Sequence, residues 1–175
     1  MYLNMPQQQN QDDFLTRSDL ASNIRGIERL LSTGVFDANV LREFREPSFV
    51  SIIIKANDLL QKLHSLGERV TFNDDIPEGD VTDLVNNMRN AACHFSSPEN
   101  LLDEENNIKF VFNMVYGKSN AVQIGPDIVV QTDYEDDVAV FYGKHRLYLK
   151  RHLIRLVNDA KEKARARYPN DHLFR

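Results

Sequence analysis

Arg89 and His94 stand five residues apart near the end of a helix-forming stretch, Arg89-Asn90-Ala91-Ala92-Cys93-His94. Arginine stays charged and forks onto phosphate oxygens. Histidine titrates near neutral pH, so it can take the proton of a ribose 2′-hydroxyl or give one to a leaving 5′-oxygen. Such a pair suits metal-free cleavage of an RNA phosphodiester, with the guanidinium offsetting charge that builds in the transition state. Asn90 is the natural helper, placed to orient either partner. At 100° per residue the buried stripe of this helix centres on Val81, Met88 and Ala92. Arg89 and His94 then lie on the two flanks of the opposite side, about 140° apart, with Asn90 and Cys93 between them. Ala91, Ala92 and Cys93 are small enough for another helix to approach, and a twofold partner there would bring two Arg/His pairs into one cleft.

Arg146 and His152 repeat the spacing, but His152 follows Lys150 and Arg151 and reads as part of a solvated, charged face. Lys144, Tyr148, Arg151 and Arg155 form a basic stripe with an aromatic among the cations, the composition expected of a surface that tracks an RNA backbone. The competing reading is a solvated face in which Arg155 pairs with Asp159 at helical spacing. Cys93 is adjacent to His94 and therefore about 100° round the helix, the wrong geometry for a thiol–imidazole nucleophile. His64, His145 and His172 have no grouped carboxylate or thiol neighbours, so no metal site is expected. The acidic loop around 74–83 lacks the ligand alternation of a calcium hand. With no glycine-rich phosphate loop and no Gly-x-Ser-x-Gly elbow, no cofactor is expected either. Phe110, Phe112 and Tyr116 read as the inner face of a sheet rather than a base-stacking platform.

The elements that would position these groups follow from periodicity. Leu20, Ile24, Ile27 and Leu31 mark one face of a helix from about Asp13 to Ser32, ended by Gly34. A short helix is expected next, with Asp37 as cap, Val40, Leu41 and Phe44 turned inward and Pro47 closing it. Ser48 would then cap a strongly apolar helix carrying Phe49, Ile52, Ile53, Ala56, Leu59, Leu60 and Leu63 and stopping at Gly67. After the acidic loop 73–80, Asp80 caps a helix whose buried stripe is Val81, Leu84, Val85, Met88, Ala92 and Phe95. The pattern then alternates: 108–116, Val122–Ile124, Ile128–Gln131 and Val138–Tyr142 read as strands, with turns at 117–120, 125–127 and 133–137. A last helix begins near Lys144 and buries Leu149, Leu153, Leu156, Val157, Ala160 and Ala164. The predicted class is mainly α: an antiparallel helical bundle with a small antiparallel β-meander inserted at about 108–142, before the last helix.

The chain has 175 residues, enough for one domain with a sizeable core. Residues 1–12 are Gln/Asn-rich and read as a disordered polar tail rather than a signal peptide, leaving 13–175 as a single domain. No apolar run approaches the ~20 residues that span a bilayer. A lone cysteine excludes an internal disulfide and fits a reducing cytoplasm, the expected location. The net charge of −5 conceals an asymmetry. Residues 1–143 hold 11 Lys/Arg against 23 Asp/Glu, whereas 144–167 hold 9 against 2. The basic segment can dock on a nucleic-acid backbone, on the acidic body of its own domain, or on a partner.

The stretch Arg89-Asn90-Ala91-Ala92-Cys93-His94-Phe95, on its hydrophobic helix, resembles the Arg-Asn-x-x-x-His signature of HEPN (higher eukaryote and prokaryote nucleotide-binding) domains. That resemblance implies an antiparallel helical bundle that dimerises through the signature helices. It also implies metal-independent endoribonuclease activity of the kind found in toxin–antitoxin and phage-defence systems. Arg89 and His94 carry over as catalytic residues, Asn90 as a helper, RNA as substrate, and an antitoxin or regulatory protein as a partner. Two departures stand out: the Tyr found two residues after the His in one toxin branch is Ser96 here, and 108–142 lies outside the minimal bundle. The alternative is a non-catalytic helical dimer that binds nucleotide, RNA or a partner protein through the same groove.

Overall fold

In the computed structural model, which describes residues 5–39, 42–77, 79–94, 96–124 and 128–174, four α-helices surround one core. They are α1 (Met5–Ser32), α2 (Arg45–Ser65), α3 (Val81–Cys93) and α4 (Arg155–Arg167). α2 lies at the centre and packs on the other three, because its buried residues cover most of its circumference: Phe49, Ile52, Ile53, Ala56, Leu59, Leu60 and Leu63. The expected faces of α1 and α4 meet it through Leu20, Ile24 and Ile27, and through Leu156, Val157, Ala160 and Ala164. None of the described helices is long and apolar enough to cross a membrane.

Two helix starts differ from expectation here. α1 starts at Met5, so most of the stretch expected as a disordered tail is helical. No separate helix is closed by Pro47: a 3-10 turn, Arg42–Phe44, runs directly into α2, and Phe44 is exposed. Pro47 is the third residue of α2, inside the first turn, where the N–H that proline lacks has no intrahelical acceptor in any case. The predicted inward turn of Val40 and Leu41 falls outside the described residues, as do Phe95 and the turn 125–127. The ends of α2 and α3 near the acidic loop are as expected. Gly67, at φ +80°, terminates α2, with Gly67 N–H donating to the carbonyl of His64 and Glu68 N–H to that of Leu63. Asp80 caps α3 by accepting from the N–H groups of Thr82 and Asp83.

The β region corrects the expected fold class. Instead of one meander beside a bundle, the described residues form three separate antiparallel sheets, reaching from Leu101 to Tyr148. β1 (Leu101–Asp103) pairs with β2 (Ile108–Lys109); β3 (Asn113–Tyr116), β6 (Val138–Tyr142) and β7 (His145–Tyr148) form a second sheet in the order β3-β6-β7; β4 (Ser119–Ile124) and β5 (Ile128–Thr132) form a hairpin. The central sheet is buried on both faces. Met114, Val140, Tyr142 and Leu147 join the helical core. Val115, Ala139, Phe141 and Tyr148 face the hairpin and meet Val122 and Val130 in a second cluster. Burial on two faces explains the near-continuous apolar run 138–142.

β7 occupies the first residues of what reads as the last helix. That helix opens only at Leu149, as a π-type turn Leu149–Ile154 that continues into α4. Its start is fixed by Asp137, whose buried carboxylate accepts from the backbone N–H groups of Lys150 and Arg151 at 2.9 and 3.1 Å. A carboxylate on the first-turn N–H groups is the stable arrangement for a helix N-terminus.

Candidate functional site

α3 ends where the site begins. Helical geometry holds through Cys93; His94 then has φ −128° and ψ 99°, an extended conformation, while its N–H still makes the last helical bond to the carbonyl of Asn90. A continuing helix would hold His94 about 140° from Arg89. The break swings it back: Arg89 Nη1 lies 3.2 Å from His94 Nε2. The same Nη1 donates to Asn90 Oδ1 at 3.3 Å. The three residues singled out by type are thus in mutual contact, by a route that helical periodicity does not contain. Arginine has only donors, so in this contact His94 Nε2 presents its lone pair, and the ring proton of a neutral imidazole sits on Nδ1.

The backbone of His94 is fastened on its far side. Its carbonyl accepts from Ser97 N–H at 2.8 Å and from Asn100 Nδ2 at 3.0 Å. Asn100 is buried, and its Oδ1 has no hydrogen-bond partner among the described residues. Next to it, Glu99 Oε2 lies 2.6 Å from Nε2 of the fully buried His145 in β7. Gly143, in the β6–β7 turn at φ +54°, packs so closely that a Cβ there would lie 2.0 Å from the Glu99 carbonyl oxygen. The sheet therefore clamps residues 99–100, and Asn100 in turn holds His94. Neither Asn100 nor Gly143 stands out in the sequence, where the only local signal is Ser97-Pro98, a start of a short 3-10 turn.

Arg89 is half-buried and His94 exposed. Among the described residues no carboxylate pairs with Arg89, which sets it apart from most basic side chains of the C-terminal half. The expected RNA-binding stripe is not assembled. Lys144 lies in the β6–β7 turn, 3.7 Å from Glu104. Tyr148 is fully buried in β7, its hydroxyl accepting from Asp133 N–H and donating to Asp133 Oδ2; burial pushes its pKa up. Arg151 pairs with Asp136 and Asp137 and lies over the Tyr134 ring. Arg155 binds Asp74 at 2.7 Å, approaches Asp159 at 4.0 Å and covers Phe72. Arg146, Lys161 and Lys163 are also paired, with Asp133, Glu28 and Glu68. The basic segment is matched to the acidic body of its own domain.

His152 is likewise not on a solvated face. It is 1% exposed, its Nδ1 accepting from Tyr148 N–H at 3.2 Å and its Nε2 lying 3.0 Å from the Asp74 carbonyl. Burial pushes its pKa below the ordinary histidine value. Cys93 is exposed. No group of three His, Cys, Asp or Glu side chains among the described residues is arranged to hold a metal ion. Comparison with known proteins finds no matching family model, no matching characterised protein and no matching solved structure.

Proposed function

We propose that this protein is a metal-independent endoribonuclease of the HEPN type, with Arg89 binding phosphate, His94 transferring protons and Asn90 orienting the guanidinium. The observation that carries the proposal is the 3.2 Å approach of Arg89 Nη1 to His94 Nε2, beside a guanidinium that no carboxylate among the described residues neutralises. A substrate phosphate entering between the two side chains replaces that contact: the guanidinium forks onto non-bridging oxygens, and Nε2 is left as an acceptor for the adjacent 2′-hydroxyl. His94 takes that proton as the 2′-oxygen attacks phosphorus. The P–O5′ bond breaks, and the 5′-oxygen leaves with a proton from an imidazolium, supplied by the partner subunit's His94 in a twofold cleft. The products are a 2′,3′-cyclic phosphate and a 5′-hydroxyl.

The test is cleavage of a structured RNA by purified protein in EDTA, with the ends identified chemically. Cleavage should leave cyclic phosphate ends and fall about 10²–10⁴-fold in His94→Ala, the range for loss of a general acid–base group. Equal cleavage by His94→Ala, or RNA binding by wild type with no turnover, overturns the catalytic reading; the second outcome leaves the interaction module instead.

A further inference from the structure

α1 and α2 form a groove of about 510 Å³ on a side of the molecule defined by different residues from the Arg89–His94 site. Ser18, Ser22, Arg25 and Arg29 recur at steps of four, three and four, which is one face of α1 beside its core face. Ser51 and Lys55, one turn apart, supply the α2 wall. The helices approach at Gly26, where a Cβ would lie 3.0 and 3.1 Å from Cδ and Cε of Lys55; the lysine stem lies across the gap that glycine leaves. Arg25 is steadied from the C-terminal segment, its Nη2 donating to the Leu173 carbonyl at 2.8 Å.

What distinguishes this groove is its charge. Arg25, Arg29 and Lys55 have no carboxylate within ion-pairing distance among the described residues, in a chain of net charge −5 whose other basic clusters are paired. The carboxylate next to Arg29 in sequence, Glu28, is held by Lys161 at 2.6 Å. Three like charges sharing one concavity repel one another, a cost that a bound anion removes. Two guanidinium forks, an ammonium and three hydroxyls are donors suited to phosphate oxygens. The volume exceeds the needs of a single phosphate and falls among sites that hold small-molecule ligands, roughly 300–1,000 Å³.

We propose that the α1–α2 groove is a binding site for a ligand carrying two or more linked phosphate groups. It does not depend on the cleavage reading. The sources of such chemistry are a free polyphosphate and a run of phosphodiesters. Calorimetric titration of the full chain with tripolyphosphate, and separately with a short single-stranded RNA, distinguishes them. Binding of tripolyphosphate, weakened about tenfold in each of Arg29→Ala and Lys55→Ala, supports the site with the free ligand as source. Binding of the RNA alone, with the same sensitivity to both variants, supports it with the backbone as source. Arg29 is exposed and Lys55 half-buried, so both variants should retain the wild-type circular dichroism spectrum, with Lys55→Ala losing the packing of its stem at Gly26. No binding of either probe at low salt, or binding that neither variant weakens, overturns the proposal. Tripolyphosphate binding is read without RNA turnover, so loss of either one alone separates failure here from failure of the cleavage reading.

Discussion

Replacing His152 by Asn should remove a pH dependence from the stability of this protein. The imidazole is 1% exposed, between the Phe72 and Tyr148 rings. The Asp74 carbonyl can only accept, so Nε2 carries the ring proton, and Nδ1 accepts from Tyr148 N–H. A second proton would have to sit on Nδ1, against that N–H, inside the core. Burial accordingly depresses the folded-state pKa below the ordinary value near 6.5. As pH falls, the unfolded chain takes up the proton before the folded chain does. The contribution is therefore fully present above about pH 6.5 and lost progressively below it, until the folded-state pKa is reached. The cost grows as pH falls below about 6.5 and is at most about 1.4 kcal/mol at pH 5.5 relative to pH 8, the limit in which only the unfolded chain takes up the proton. Asp74, Asp80, Asp136 and Asp171, whose pKa values are held below the usual carboxylate range, titrate at more acid pH and leave this window clear. Urea denaturation at pH 8, 6.5 and 5.5 measures the effect. His152→Asn should cost about 1–3 kcal/mol at pH 8, through lost packing and a poorer bond to Asp74, and less at pH 5.5. The other histidines are common to both proteins and cancel in the difference. A stability gap between wild type and variant that stays constant from pH 8 to 5.5 would refute the reasoning.

Asp80→Ala should destabilise by about 2 kcal/mol, combining the lost α3 cap with part of the partly exposed Arg69 pair. Burial alone raises the Asp80 pKa, but the Arg69 guanidinium and the Asp83 and Thr82 N–H groups together lower it; its contribution is present above about pH 4 and fades on acidification, so wild type and variant should converge in urea midpoints below that pH. Gly143→Ala combines an unfavourable φ with a Cβ driven into the Glu99 carbonyl and should cost at least about 2 kcal/mol. Because that clash moves residues 99–100, and Asn100 holds His94, RNA cleavage per folded molecule should fall as well; full activity at unchanged stability would show that the clamp is not as described.

Legibility in the sequence followed the range of the interactions involved. Asp80 and Gly67 were readable because a cap and a left-handed glycine act within four residues. So were the apolar faces of α2 and α4, which repeat at the helical period. β7 was not readable. His145-Arg146-Leu147-Tyr148 runs into an amphipathic helix with no proline or glycine between them. Its strand conformation comes from pairing with β6 across Gly143 and from Asp137 starting the helix at Leu149. His152 was misplaced for the same reason: its charged neighbours Lys150 and Arg151 face outward, while the ring finds Asp74, 78 positions earlier. At the candidate site, residue types pointed to Arg89, Asn90 and His94, but the contact among them arises from the end of α3, where Asn100, six residues on, holds the His94 carbonyl and the distant Gly143 holds Asn100 in place.

The imidazole hangs from the residue where α3 gives way to extended chain, with its carbonyl pinned by Ser97 and Asn100. Its reach toward the guanidinium is set by a hinge and two anchors rather than by a fixed number of degrees per step. Such a layout tolerates changes in the count of residues between the two side chains, provided the anchors travel with the histidine. It does not tolerate straightening. A stretch of strong helix formers substituted after the histidine, across 95–97, would carry the ring round the cylinder and part the pair while leaving Arg89, Asn90 and His94 in place.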